Sequence, residues 1–235
     1  MVDRGDMIEL PALRCLGPAL CREAIDKLAA DAGATAVEHG IVRTLHDVFH
    51  SFSEWSAEHS IRVGLHVAGF AAVLGHAPRD AARMGLSCCL HDIGKIAIPR
   101  GILDKPGRLD AQERELVEAH VLEGLTCVDY MSSICAEFSA DAIRFHHENQ
   151  DGSGYPHGLK GEDLPEIARM ARICDVFDAL RFDRPYRPGL SRVEAFAVME
   201  RQRMHFDPAL YEVFFREISR VDHLSKLIDS HTKGR

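Results

Sequence analysis

No apolar run in this 235-residue chain approaches the ~20 residues that a helix needs to cross a bilayer. Nor does it open on a signal-peptide pattern: the apolar stretch from Pro11 to Leu20 is broken by Arg14, Gly17 and Pro18. There is no C-x-x-C, and the cysteines are odd in number, seven, at positions 15, 21, 88, 89, 127, 135 and 174. A disulfide framework and a Cys-rich zinc site are therefore not expected, and a reducing cytoplasm fits. Cys88, Cys89 and Cys174 read as small buried residues rather than nucleophiles. Positive charge is in deficit, 28 Lys+Arg against 36 Asp+Glu, which excludes a surface built for a nucleic-acid polymer. A small anionic ligand stays admissible if metals or a few placed cations supply local positive charge. No stretch alternates with period two, so no sheet is expected. There is no internal repeat, no Pro/Ser-rich linker and no G-x-x-x-x-G-K-[ST] phosphate loop.

What is present is helical periodicity in a chain of ordinary globular composition, 46% hydrophobic and 27% charged. The spacing predicts helices over 19–30, 35–56, 59–74 with Gly75 as the stop, and 79–90 after Pro78. Residues 91–109 hold Gly94, Pro99, Gly101, Pro106 and Gly107, which is loop chemistry. Capping boxes at Asp110/Glu113 and Ser191/Glu194 open two more helices, the first ending near His120. A helix ends at His146–His147, another covers 165–180, and Pro208 starts a last one. A second glycine-rich loop fills 151–163. The expected fold is all-α, a single helical bundle. The chain divides into a short helical extension over 1–50, a main domain over 51–221 and a tail over 222–235. The stripe from Val37 to Phe52 reads equally as core or as a dimer seam, and Trp55, the one tryptophan, as packing before His59.

Histidine and aspartate recur where helices end or turn: His59, His91-Asp92, His120, His146-His147 and Asp175, at intervals of 26 to 32 residues. In a bundle such intervals can return each residue to one level of the core. Several buried imidazoles and carboxylates need a neutralising partner, and divalent metals supply it. The donor set suits iron, manganese, zinc or nickel, with the carboxylates favouring manganese and iron. Asp92 has two oxygens with which to bridge two metals. His46 and His50, though spaced i, i+4, lack a third ligand and read as partly exposed helix residues. His39, His66, His76, His157, His205 and His223 read likewise.

These segments resemble the HD-GYP family of cyclic di-GMP phosphodiesterases, within the HD superfamily of metal-dependent phosphohydrolases. The resemblance runs through His59-Ser60-Ile61-Arg62-Val63, His91-Asp92-Ile93-Gly94-Lys95, Ile98-Pro99, Ile102-Leu103, His120 with Gly124, and His146-His147-Glu148. It continues through Asp151-Gly152-Ser153-Gly154-Tyr155-Pro156, His157-Gly158-Leu159-Lys160-Gly161, Asp175-Val176-Phe177-Asp178-Ala179-Leu180 and Asp183-Arg184-Pro185-Tyr186-Arg187. It spans roughly residues 55–210 and leaves 1–50 unassigned. It implies an HD-superfamily helical bundle whose metal ligands are His59, His91, Asp92, His120, His146, His147 and Asp175. It implies that Lys95 reaches a substrate phosphate, that Tyr155 lies in the Gly-Tyr-Pro loop, and that Arg184 and Arg187 contact substrate. Arg187 stands where a lysine is frequent, and the two cations differ in geometry. Where some members carry a carboxylate for a third metal, four residues before the first histidine, this chain has Trp55, so two metals are expected.

The implied reaction is hydrolysis of cyclic di-GMP to pGpG or on to GMP, by in-line attack of a metal-bridging hydroxide. Asp92 and Lys95 are the residues at the chemistry. Alternatives are a weak or inactive HD-GYP-like signalling module that docks to another protein, and a phosphodiesterase for another cyclic dinucleotide such as cyclic GMP-AMP. Expected partners are the cyclic dinucleotide and a signalling protein or a second copy of the chain, with no nucleic-acid polymer and no membrane.

Overall fold

The computed structural model describes residues 16–129, 136–183 and 188–221, so Arg184, Arg187, Cys15, Cys135 and His223 lie outside the described residues. Among the described residues every regular element is helical. Helix α1 spans Gly17–Asp31 and α2 Ala36–Phe52, the latter opened by a Thr35/Glu38 capping box. Helix α3 spans Glu54–Leu74 and ends on Gly75 at φ 93°, and α4 spans Pro78–Cys88 with its proline in the first turn. A 3-10 turn over Ile93–Ala97 leads to the short α5, Arg100–Leu103. Then come α6 (Ala111–Glu118), α7 (His120–Asp129), α8 (Ala136–Phe145), α9 (Glu166–Arg181), α10 (Arg192–Arg201) and α11 (Pro208–Val221). None of these helices is long and apolar enough to cross a membrane.

Both capping boxes read from the sequence form. At α6 the Glu113 N–H donates to Asp110 Oδ1 and the Asp110 N–H donates to Glu113 Oε2, each at 2.9 Å. A cap of this kind contributes about 1 kcal/mol. Two boundaries differ from the periodicity. The helix expected over 35–56 breaks at Ser53, whose extended backbone (φ −149°, ψ 99°) ends α2 while its Oγ accepts from Ser56 N to open α3. His59 consequently lies in the second turn of α3 rather than at a helix start. His120 opens α7 instead of closing the helix before it, because the chain breaks at Ala119. Apolar spacing alone does not register a one-residue break between two helices that share a face.

Helix α3 is buried on all sides from Ser56 to Ala71, as expected of a central helix. One face, with Ala57, Ile61, Leu65 and Ala68, joins Ile25 and Leu28 of α1, Val42, Leu45 and Phe49 of α2, and Leu86 of α4 in one apolar cluster. The opposite face, with Val63, Val67 and Phe70, packs on Ile173 and Phe177 of α9 and Phe214 of α11. Each buried Val, Leu, Ile or Phe side chain among them contributes roughly 1.5–3 kcal/mol. Helices α1 and α2 thus share their core with α3 and α4, and Glu58 on α3 accepts from the N–H groups of Leu16 and Gly17 where α1 begins. Clamped from both sides, α3 is a rigid mount for His59, and α9 beside it is the mount for Asp175.

A close approach fixes the turn after Asp92. A Cβ on Gly94 would come within 1.9 Å of the His120 carbonyl oxygen and 2.4 Å of Gly124 N. Only glycine lets the 3-10 turn lie against α7, and that contact sets Asp92 beside His120.

Candidate metal centre

The helix packing brings the seven expected ligands together. Asp92, His120, His146 and His147 form one set, and His59, His91 and Asp175 a second, the donor atoms of each lying within 4.8 Å of one another. Asp92 lies between them. Its Oδ1 is 3.4 Å from His120 Nε2 and 3.7 Å from His146 Nε2, while its Oδ2 is 3.5 Å from His91 Nε2 and 3.9 Å from His59 Nε2. All but His147 are buried, most of them at 1% exposure or less.

Main-chain carbonyls decide which ring nitrogen faces the centre. His91 Nδ1 donates to Cys88 O at 2.8 Å, His120 Nδ1 to Val117 O at 2.6 Å and His146 Nδ1 to Ile143 O at 2.9 Å. A carbonyl only accepts, so each Nδ1 carries the proton and each Nε2 turns a lone pair inward. His59 Nδ1 is held instead by Asp178 Oδ2 at 2.6 Å, the carboxylate–histidine pairing that commonly supports a metal ligand. Arg62 in turn grips Asp178, Nε to Oδ1 at 2.9 Å and Nη2 to Oδ2 at 3.1 Å.

Unpaired acceptors test whether the site suits a cation. Among the described residues, buried His91 Nε2 and Asp92 Oδ1 make no hydrogen bond. His120 Nε2 and His146 Nε2 face each other at 3.3 Å although both protons sit on Nδ1. Lone pairs converging in a dry core are costly unless a positive charge lies between them. The donor set of nitrogen and carboxylate oxygen fits divalent transition metals, and sulfur is absent from it. A third group, His50, Glu54 and Glu58, also lies close together, but the two Glu58 oxygens are engaged at the start of α1. Trp55 stacks on the His59 ring at 5.3 Å and donates from Nε1 to Asp183 O at 2.7 Å, closing the position where a further carboxylate would stand.

Ionisation follows from burial and neighbouring charge. Burial opposes the charge on Asp92, but adjacent Lys95, 2.5 Å away, and the rings of His91, His120 and His146 together outweigh it and hold the carboxyl well below the usual carboxylate range. Asp175 is likewise held low, its burial overcome by the hydrogen bond from His59 at 3.0 Å together with the charge interactions of His59, His147 and His91. Burial lowers His91 to about 4, lowers His120, and sets His147 well below an ordinary imidazole. Burial also opposes the charge on His59, but its bonds to Asp175 and Asp178 raise its pKa overall. These shifts carry a pH prediction for the chain stripped of metal by a chelator. Rings neutral in the fold take up protons when unfolded below about pH 6.5, so their contribution is lost as pH falls from there toward 4. The His59 contribution has the opposite sign, complete below about 6.5 and lost as pH rises through its raised value. With three rings against one, the urea midpoint of the stripped protein is expected to fall between pH 7 and pH 5; a flat or rising midpoint would show that the rings are not held neutral.

Lys95, Tyr155, His59, His120, His147 and Asp175 line a cavity of about 360 Å³. Tyr155 stacks on His147 at 4.7 Å. Its loop folds tightly against the end of α8: a Cβ on Gly154 would lie 2.4 Å from Asn149 N and 2.5 Å from the His147 carbonyl oxygen. Glu148 Oε1 holds that loop closed by accepting from the N–H groups of His157 and Gly158. Two residues near the site carry no signal in helical periodicity. They are Asp178, whose partners Arg62 and His59 lie 116 and 119 residues away, and Arg172, which also lines the cavity. The i, i+3 spacing from Asp175 to Asp178 places both on one face of α9 and is the only local hint for the first.

The histidines read as partly exposed helix residues divide. His46 on α2 and His66 on α3 are buried, because both helices pack on more than one side. Cys88, Cys89 and Cys174 are buried as expected, and burial pushes the Cys88 and Cys89 thiols up, away from nucleophile chemistry.

An all-helical bundle with a buried histidine–aspartate centre, one carboxylate lying between its two donor sets and a cavity beside it, defines a protein built to hold divalent metal. Known proteins agree. The HD domain pattern matches residues 43–210, and the chain belongs to the HD domain family, with the motifs of its HD-GYP branch. It is 38% identical over 168 residues to a protein of Pseudomonas aeruginosa named cyclic di-GMP phosphodiesterase, covering 70% of this chain and 40% of that one. A Vibrio cholerae protein named 3'3'-cGAMP-specific phosphodiesterase 2 is 35% identical over 187 residues, 79% of this chain and 35% of its own length. The chain therefore spans well under half of either relative. The solved structure of an HDG"Y"P protein from Bdellovibrio bacteriovorus shares the fold with a TM-score of 0.57 at 17% identity, covering 95% of this chain and 75% of that one.

Proposed function

We propose that this chain is a metal-dependent phosphodiesterase of cyclic dinucleotides, with cyclic di-GMP as substrate and pGpG or GMP as product. The observation that carries the reading is Asp92: one buried carboxylate presents each of its oxygens to a different set of donors, the arrangement required by a two-cation centre. Asp92, His120, His146 and His147 would hold one cation and His59, His91 and Asp175 the other, iron or manganese by the carboxylate content, and when bound the pair neutralises the phosphodiester and makes water a competent nucleophile. The chain's own groups do the rest. Lys95, 16% exposed at the cavity, brings a positive charge to the phosphoryl oxygens as they gain charge. Carbonyls of Cys88, Val117 and Ile143 keep three rings in the ligating tautomer throughout. Tyr155, stacked on His147, forms a cavity wall on which a nucleotide can lie. Arg184 and Arg187, outside the described residues, are assigned to substrate by their motif. The catalytic unit is taken as 51–221, with 1–50 as an extension whose described helices, α1 and α2, join its core, in a cytoplasmic protein that takes its signal from a protein partner or a second copy.

A second reading, specificity for 3'3'-cGAMP, is favoured by one observation: relatives carrying the two names match this chain at similar identity, 38% and 35%. Anaerobic purification with metal analysis, followed by incubation with each dinucleotide and separation of products, decides between them. Two metals per chain and cleavage of cyclic di-GMP are expected. Two metals with cleavage of neither would leave a binding module in place of the enzyme.

A further inference from the structure

Arg172, on α9 one turn before Asp175, is the odd cation of the site. Arg62 grips Asp178 and Arg169 grips Asp207 at 2.6 Å, but among the described residues Arg172 makes no ion pair. Its Nε donates to Asn149 Oδ1 at 2.9 Å, and Asn149 is itself fixed by donating from Nδ2 to Ser153 Oγ at 3.0 Å. Ser153 Oγ in turn donates to Asp151 Oδ1 at 2.6 Å. The guanidinium is thus anchored by one edge while its terminal nitrogens have no hydrogen-bond partner among the described residues, and the residue lines the cavity. The nearest acid along the helix, Asp175, is engaged by His59. A partly buried guanidinium with the Asp175 and Asp151 charges nearby but no carboxylate in ion-pair contact is incompletely compensated, and its free edge is a fork matched to two oxygens of a phosphate.

Its position indicates which phosphate. Lys95 is drawn onto Asp92 at the centre, whereas Arg172 is drawn to Asn149, on the loop that carries Tyr155. Both cations line one cavity but are held by different partners, and a cyclic dinucleotide has two phosphates, only one of which is attacked. We propose that Arg172 receives the phosphate that is not attacked, and so selects substrates with two phosphates over those with one. This rests on the phosphodiesterase reading for the identity of the substrate, but it is tested without it.

The probes are adenosine 3',5'-bisphosphate and AMP, titrated calorimetrically into the metal-containing protein as purified. The wild type is expected to bind the bisphosphate at least about tenfold more tightly, the worth of a charge-assisted hydrogen-bond pair. Arg172→Gln is expected to erase that preference while AMP affinity and metal content stay within about twofold, with Arg172→Lys intermediate because it keeps charge and loses the fork. Asn149→Ala, which frees the anchored edge, is expected to weaken the bisphosphate alone and covers the case in which Arg172→Gln folds poorly. No preference in the wild type, or equal loss for both nucleotides in Arg172→Lys and Asn149→Ala, overturns the assignment. If the preference behaves as stated but no cyclic dinucleotide is cleaved, the substrate reading fails and what stands is the selection by Arg172 of ligands with two phosphates.

Discussion

Asp92→Ala is expected to cost the protein both its metal and its activity. The side chain is 1% exposed and stands between the two donor sets, facing His120 and His146 with one oxygen and His91 and His59 with the other. In the proposed two-cation centre, deleting it would remove a ligand from both cations at once and leave the imidazoles and Asp175 with no anion shared between the two sets. Cation pairs supply several kcal/mol of charge stabilisation in phosphoryl transfer, and each ~1.36 kcal/mol is a factor of ten. A fall of at least about 10³-fold in turnover is therefore expected, together with a drop from two metals per chain to one or none. Lys95 loses its partner but reaches solvent, so the fold should survive, with an unchanged far-ultraviolet circular dichroism spectrum. His91→Ala removes a donor from one set only and is expected to release one metal with a comparable loss of turnover. Metal content and activity retained in both variants would dismantle the two-cation centre and the hydrolysis built on it.

Asp178 is expected to have the next largest effect, although it belongs to neither donor set. It is fully buried, receives the His59 Nδ1–H at 2.6 Å and is gripped by Arg62. Burial opposes its charge, yet the Arg62 guanidinium and His59 bring its pKa down to about 2. Asp178→Ala leaves the buried Arg62 guanidinium with only the longer pair to Glu58 at 3.7 Å and is expected to cost about 3 kcal/mol of stability. Asp178→Asn keeps the volume but lacks the charge that fixes the His59 ring, and supports of this kind are worth roughly 10–100-fold in metal affinity. Asp178 is thus a positioning residue acting through His59. Metal titration of Asp178→Asn should show that weakening, and the nitrogen-15 shifts of His59 should show a mixture of ring tautomers in place of one. A variant that melts earlier but binds metal as tightly, with His59 in a single tautomer, would reduce Asp178 to a packing role.

The sequence and the structure contribute differently to these expectations. Helix openings at Thr35, Asp110 and Ser191 and the stop at Gly75 were readable because each is a contact between residues at most three or four apart. The seven candidate ligands were readable for another reason: histidine and aspartate recur at regular intervals where helices end or turn, and their motifs match a known family in order. Ser53 was missed as a boundary because the apolar stripe runs on across it, and His120 was misplaced on its helix for the same reason. His46 and His66 were read as partly exposed because periodicity names a face but not how many neighbours cover it.

By itself the sequence determined the all-helical class, most helix ends and the types of donor atom available, since all three are set by local hydrogen bonding and by side-chain chemistry. Only the tertiary structure decided that Asp92 divides its oxygens between two sets, that Asp178 holds His59 across 119 residues, and that Arg172 keeps a free edge in the cavity. Those relations depend on α3 being clamped between two apolar clusters and on α9 lying against it. The packing of distant faces has no signature in the spacing of either helix alone.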